Sequence, residues 1–234
     1  MGRTGDGGTA GMKEVCVELA VMTARQRSLD VLVVRRPGNI WSLPGAPADD
    51  DRALADTALQ TLTDQTGIRE IWLEQLFSFD RDGGRAVAIG HLALIAADRH
   101  PLTPGSDVVE VRWFALGDLP QLSADHRDVI DYAHQRLRAK TAYAPIAVQL
   151  LPELFTLSDL QGVYEAVLGT TLDTRNFRRD LLSAGVVAPA GQLRARGPGR
   201  PAQLYRSVDG SFAVDARERR IIGRLANRAS SPER

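Results

Sequence analysis

Two apolar segments open the patterned part of the chain, VCVELAVM from Val15 and VLVVRR from Val31, with the polar run TARQRSLD between them. Their pattern predicts two paired strands. The next segment, WSLPGAPADDD, places Pro44, Gly45 and Pro47 ahead of three acids, which predicts a loop leading into a helix. Asp49 to Asp51 then stand where an N-cap and first-turn acids stabilise exposed N–H groups. Ala55, Leu59 and Leu62 recur at helical spacing, and Gly67 takes the C-cap position, so residues 53 to 66 read as an amphipathic helix. IWLEQLFSF and RAVAIGHLALIAA read as strands joined at Asp82-Gly83-Gly84, and VVEVRWFALGDLP as another strand with a proline stop. A helix from about Asp125 to Lys140 follows, with Val129, Ala133 and Leu137 on one face. It predicts either a connecting or dimer-forming helix or a simple cover for the sheet.

The rear of the chain changes pattern. TLSDLQGVYEAVLG has Ser158 and Gln161 at capping-box spacing and an apolar face of Leu160, Val163, Tyr164 and Val167. In TTLDTRNFRRDLLSAG, Asp173 is the expected N-cap, Phe177, Leu181 and Ala184 form a face, and Gly185 closes the helix. Two short helices with a tight connection, then the hairpin-like VVAPAGQLRARGPGRPAQLYRSV, predict a winged helix-turn-helix. A last basic helix is expected from Val214 to Asn227. The organisation is thus a lead over 1–11 expected to be disordered, an α/β (α+β) front domain over 12–122, a connecting helix over 123–144 and a winged helix-turn-helix over 145–228.

Charge sharpens this division. The 234 residues carry no net charge, but residues 1–144 have 14 Arg and 2 Lys against 20 acids, and residues 145–234 have 13 Arg against 9. The front is therefore −4 and the rear +4, as expected of a ligand or enzyme domain followed by a segment attracted to polyanions. The single cysteine, Cys16, offers neither a disulfide nor a thiolate cluster, which points to a reducing, cytoplasmic setting. Ala86 to Ala97 is the longest apolar stretch, interrupted by His91 and far short of the roughly 20 residues a membrane span needs.

Around the first helix the chain resembles the Nudix signature, G-x5-E-x7-R-E-U-x-E-E-x-G-U with U aliphatic. Aligned on Gly67-Ile68, the R-E-U-x-E-E positions fall on Gln60, Thr61, Leu62, Thr63, Asp64 and Gln65, and the upstream glutamate falls on Arg52. In Nudix hydrolases the glutamates share one helical face and gather divalent cations. Only Asp64 keeps a carboxylate here, so no catalytic residue, metal or cofactor is expected. The rival reading is a Mg-dependent Nudix hydrolase of a nucleoside diphosphate derivative, with Asp49, Asp50 and Asp51 joining Asp64 in an unconventional site.

Over about residues 14 to 207 the chain resembles the NrtR family, the Nudix-related transcriptional regulators of NAD metabolism. The resemblance rests on the degenerate helix ending in Thr66-Gly67, WFAL.DLP from Trp113, RLRAK..Y.PIA..LLP from Arg136, FTLSDLQGVYEAVLG from Phe155, and LDTRNFRRDLL followed by GRPAQLYR. It implies a Nudix-like sandwich followed by a winged helix-turn-helix, and a homodimeric repressor of NAD synthesis or salvage genes. Such a repressor binds a palindromic operator in double-stranded DNA and is released by ADP-ribose or a related nucleotide. The family's LPGGF is LPGAP here, at Leu43 to Pro47, which adds a methyl at Ala46 beside the presumed phosphate path.

Arg175, Arg178 and Arg179, at i, i+3 and i+4, lie opposite the Phe177 and Leu181 face and are candidates for the major groove, with Thr174 and Asn176 beside them. Arg194, Arg196 and Arg200 of the wing are candidates for phosphate or the minor groove. For the effector, Arg35, Arg36, Arg81 and Arg85 are candidates for diphosphate oxygens, and Trp41 and Trp113 for stacking on adenine. His91 and Cys16, within strand patterns, read as core residues.

Overall fold

A computed structural model describes residues 13–69, 71–81, 83–96, 100–142, 144–195 and 201–208. The lead over 1–11, the helix expected from Val214 to Asn227, and Arg196 and Arg200 lie outside these residues. The front carries a seven-stranded mixed sheet with a helix on each face. Its strands are β1 (Glu14–Arg25), β2 (Ser28–Arg36), β3 (Ile40–Ser42), β4 (Gly45–Pro47), β5 (Trp72–Arg81), β6 (Ala86–Leu94) and β7 (Glu110–Ala115); the helices are α1 (Leu54–Thr66) and α2 (Ala124–Thr141).

β1 pairs in parallel with β6 from Glu14↔Ala86 to Met22↔Leu94, and β5 closes that edge antiparallel to β6. On its other edge β1 pairs with β2 near the turn and with β4 near its start. β2 then carries β3 and β7. Period-two alternation sorts the layers. Val17, Leu19, Val21, Leu32 and Ala93 pack with Ala58 and Leu62 of α1. Ala20, Met22, Val31, Val33, Leu92 and Leu94 pack with Val129, Ile130, Ala133 and Leu137 of α2. α2 is therefore the cover of the sheet.

Three local expectations are corrected. The connection between β1 and β2 is only Gln26 and Arg27, because the polar residues Thr23 and Asp30 are buried within the strands rather than forming a loop. Gly45–Pro47 is a strand, not a loop. A Cβ at Gly45 would stand 2.7 Å from the Val17 carbonyl, so only glycine lets β4 approach β1 this closely. Asp49 to Asp51 do not cap α1, whose N-cap is Ala53 with no side-chain bond. Asp49 instead accepts from the Asp51 N–H at 3.0 Å.

In the rear, a 3-10 turn (Ile146–Leu150) leads to α3 (Leu157–Leu168), α4 (Thr174–Ala184) and the hairpin β8 (Val187–Arg194) with β9 (Ala202–Ser207). Phe155 adds a backbone bridge to Tyr205. The capping box of α3 is Thr156 with Asp159 rather than the Ser158 and Gln161 expected, and Asp173 caps α4 as its sequence predicts. Tyr164 and Phe177 are buried and meet edge to face, with centroids 5.3 Å apart. The boundary near 144 is not a gap in packing. Leu150, Leu160, Val163 and Val167 continue the same buried cluster that fills the α2 side of the sheet.

Candidate functional site

On the α1 side, the last turn of α1 brings Gln65 against β4. Its Oε1 accepts from the Gly45 N–H at 3.1 Å, and its Nε2 donates to the Gly45 carbonyl at 3.0 Å and to the Asp107 carboxylate at 3.2 Å. Arg36, at the end of β2, donates from Nη1 to the same Asp107 oxygen at 2.7 Å and from Nη2 to the Gly45 carbonyl at 3.0 Å. Its Nε reaches Ser42 Oγ at 3.3 Å. One carboxylate here is answered by one guanidinium and one neutral amide. Such a set offers a hard divalent cation little, because replacing its hydration takes several anionic oxygens.

Asp64 lies on the exposed side of α1, where it accepts from Gln60 Nε2 at 2.6 Å, while Asp49 lies 3.7 Å from Arg52. The structure therefore does not bring Asp49, Asp50 and Asp51 together with Asp64. Among the described residues, no three His, Cys, Asp or Glu side chains gather around one point.

The α2 side holds a second polar group. Glu18 is 1% exposed; it is paired with Arg81, and its Oε1 is 3.3 Å from His126 Nε2 in the first turn of α2. Glu18 Oε2 and His126 Nδ1 are buried without a hydrogen-bond partner among the described residues. Cys16 donates weakly to the Val87 carbonyl, and burial pushes its thiol up, away from the reactive thiolate. His91 is buried with Nδ1 3.1 Å from the Ile89 carbonyl; burial holds its pKa down, so the ring is neutral.

The effector candidates do not converge. Arg35 pairs with Glu110 at 2.8 Å and lies over Trp41, which meets Phe114 edge to face. Trp41 packs on the α2 side and Trp113 on the α1 side, so the two indoles cannot clamp one base. Alternation along β2 puts Arg35 and Arg36 on opposite faces as well. Arg81 is engaged with Glu18, and Arg85 is exposed ahead of β6. Sequence reasoning missed Glu18, His126 and Asp107. A lone acid inside an apolar strand was the available signal for Glu18.

The rear candidates separate by what already holds them. Thr174, Arg175, Arg178 and Arg179 are exposed on α4, and Asn176 is half-buried. Arg178 donates to Ser158 Oγ at 2.9 Å, Arg179 pairs with Asp180 at 2.8 Å, and Thr174 Oγ1 accepts from Gln161 Nε2 at 3.2 Å. Arg175 has no such partner among the described residues. Arg194 is turned inward: it pairs with Asp159 at 3.0 Å and donates to the Leu154 carbonyl, which ties the wing to the start of α3.

The family model of the NrtR DNA-binding winged helix domain matches residues 147–207. The chain is 35% identical over 203 residues to a protein of Acinetobacter baylyi named ADPR responsive transcriptional repressor NtrR, covering 81% of this chain and 80% of that one. Shewanella oneidensis NrtR, crystallised with a 27mer DNA, superposes with a TM-score of 0.69 at 30% identity, over 83% of this chain and 93% of that one. A MutT/nudix family protein from Enterococcus faecalis shares the fold, with a TM-score of 0.68 at 24% identity over 84% and 87% of the two chains.

Proposed function

Because this chain belongs to the NrtR family of Nudix-related transcriptional regulators, we propose that it is a DNA-binding repressor of NAD synthesis or salvage genes whose front domain senses ADP-ribose or a related nucleotide. The observation that carries the reading is one pairing of features. An arginine face stands exposed on α4, while two of the three α1 positions that would be acids in a hydrolase hold Thr61 and Gln65, with Gln65 bonded to Gly45 and the remaining acid, Asp64, bonded to Gln60. The first suits a polyanion, and the second leaves a nucleotide-sized fold without a cation cage.

In this reading the front domain binds its nucleotide and does not hydrolyse it. The effector favours the DNA-incompetent form and shifts the population by its difference in affinity for the two forms. A two-fold dimer presents two copies of α4 to the two halves of a palindromic operator. Arg175 reads or grips the major groove, with Arg178 and Arg179 beside it, and Arg194 acts by holding the wing in place.

The experiment is binding of the full chain to promoter DNA of NAD-pathway genes, with and without ADP-ribose, at stated salt. Sequence-specific binding that ADP-ribose weakens is the expected result. Arg175→Ala should weaken operator binding by about 1 to 3 kcal/mol and leave the melting temperature unchanged. Hydrolysis of ADP-ribose with added magnesium at about one turnover per second or faster would assign the front domain to the hydrolases instead.

A further inference from the structure

β1 and β2 meet at the joint between the two parts of the chain, in a turn made only of Gln26 and Arg27. Both residues have positive φ, +47° and +64°. A two-residue hairpin with both positions left-handed suits Asn-Gly, and long side chains adopt it only at a conformational cost that their surroundings must offset.

The surroundings are α3. The Arg27 stem lies over Gly162, with Cγ 3.7 Å from where a Cβ on that glycine would stand, and its Nη1 is 3.9 Å from Glu165 Oε2. The side chain of Glu165 is only 9% exposed. Its other oxygen, Oε1, accepts from the Leu172 N–H at 3.0 Å and from Gln161 Nε2 at 3.0 Å. Gln161 Nε2 shares its hydrogens with the Leu172 carbonyl at 3.0 Å and Thr174 Oγ1 at 3.2 Å. Two side chains one turn apart on α3 therefore hold both backbone polar groups of Leu172 and the first residue of α4. Clefts of 530 Å³ and 510 Å³ open on the two sides of this contact, each with Arg27 in its wall.

We infer that Gln161 and Glu165 are positioning residues for DNA binding, fixing the direction in which α4 leaves α3, and that Arg27 is the front domain's hold on them. The inference rests on the regulator reading above and adds the place where its two parts are coupled. When the β1–β2 turn shifts against α3, Glu165 loses its cation, the clamp on Leu172 loosens, and the Arg175 end of α4 changes direction. An effector that prefers one setting of the turn thereby changes operator affinity, and operator changes effector affinity by the same factor.

The test compares full-length parent with three variants, reading amide exchange over 170–174, melting, and operator binding with and without ADP-ribose. Gln26→Asn combined with Arg27→Gly keeps the turn and removes the guanidinium. It should melt no lower than the parent, exchange at Leu172 about tenfold faster, bind operator without ADP-ribose about as weakly as the parent does with it, and lose most of the ADP-ribose effect. Glu165→Ala should weaken operator binding about tenfold or more even without ADP-ribose. Glu165→Gln keeps the acceptor for Leu172 but not the pairing with Arg27, so it should bind operator more tightly than Glu165→Ala, at the level of the Asn-Gly variant, and lack the ADP-ribose effect. Parent-like exchange at Leu172 in the Asn-Gly variant, or parent-like operator binding by Glu165→Ala, overturns the inference. So does an ADP-ribose effect that survives loss of the guanidinium. Should the parent itself ignore ADP-ribose, the sensing reading fails, and exchange at Leu172 with the operator affinity of Glu165→Ala still decides the positioning role.

Discussion

α1 and α4 are both amphipathic helices that carry the chain's candidate chemistry, and they differ in where their polar groups are spent. Gln65 of α1 is buried and bonded to the backbone of Gly45, and it shares the carboxylate of the exposed Asp107 with Arg36. α4 buries Phe177, Leu181 and Ala184, while Arg175 faces water without a partner among the described residues. Buried polar groups must find partners, and once satisfied internally they have little left for a ligand. An exposed guanidinium is not so committed and stays available to an incoming anion. A helix can keep its place in a fold while its chemistry turns inward, and availability, not residue type alone, marks the surface still able to act.

The outward face of α4 depends on the inward one, and breaking that dependence is the largest effect expected. Phe177 is 1% exposed and packs edge to face on Tyr164. Phe177→Ala should lower stability by about 3 to 5 kcal/mol, from lost transfer energy and the cavity left behind. Denaturant unfolding of the full chain measures it, and operator binding should fall with it. A variant as stable as the parent would mean that α4 is held in place by something other than this contact.

Gln65→Glu tests the inward side. A glutamate cannot donate to the Gly45 carbonyl, and it sets a second carboxylate beside Asp107. The cost at pH 8 should be about 1 to 3 kcal/mol, the range for a buried group robbed of its bond. Burial and the Asp107 charge raise the new carboxyl's pKa in the fold, and Arg36, bonded to the same two oxygens, opposes them; with burial and like charge dominant, protonation restores a donor and stability should recover as the pH falls. Melting at pH 8 and pH 5 with parent alongside decides it. Equal loss at both values would remove the charge argument and leave only shape.

What the sequence revealed follows the range over which each feature is built. The strands other than β3 and β4, together with α1, α2, α3, α4 and the spacing of Arg175, Arg178 and Arg179, are local patterns, and they were legible; β3 and β4 were not, because a Pro/Gly-rich segment reads as a loop until β1 and β2 are there to pair with it. The true span of the first turn was not, because polarity at Thr23 and Asp30 does not announce burial. Nor could Gln161 be separated from a capping role, since its amide reaches forward to Leu172 and Thr174. Gln65 was legible only as a missing acid. Its partners, Gly45 and Asp107, come from distant strands and loops that only the sheet topology brings together.

The smallest expected effect separates front from rear by pH. His91, in the front sheet, is kept neutral by burial, whereas the unfolded chain would protonate it near its ordinary value of about 6.5. Its folded pKa is depressed, so its contribution to stability is present above about pH 6.5 and is lost as the pH falls below that. Tyr164, in α3, has its pKa raised by burial, and the unfolded chain would ionise it near its ordinary value of about 10. That contribution is present below about pH 10 and is lost as the pH rises beyond it. Each loss is at most about 1.4 kcal/mol per pH unit. His91→Gln should flatten only the acid limb of a stability-against-pH curve, and Tyr164→Phe only the alkaline limb. If either substitution moved the opposite limb, the buried group responsible would lie elsewhere, since neither residue changes charge on that side.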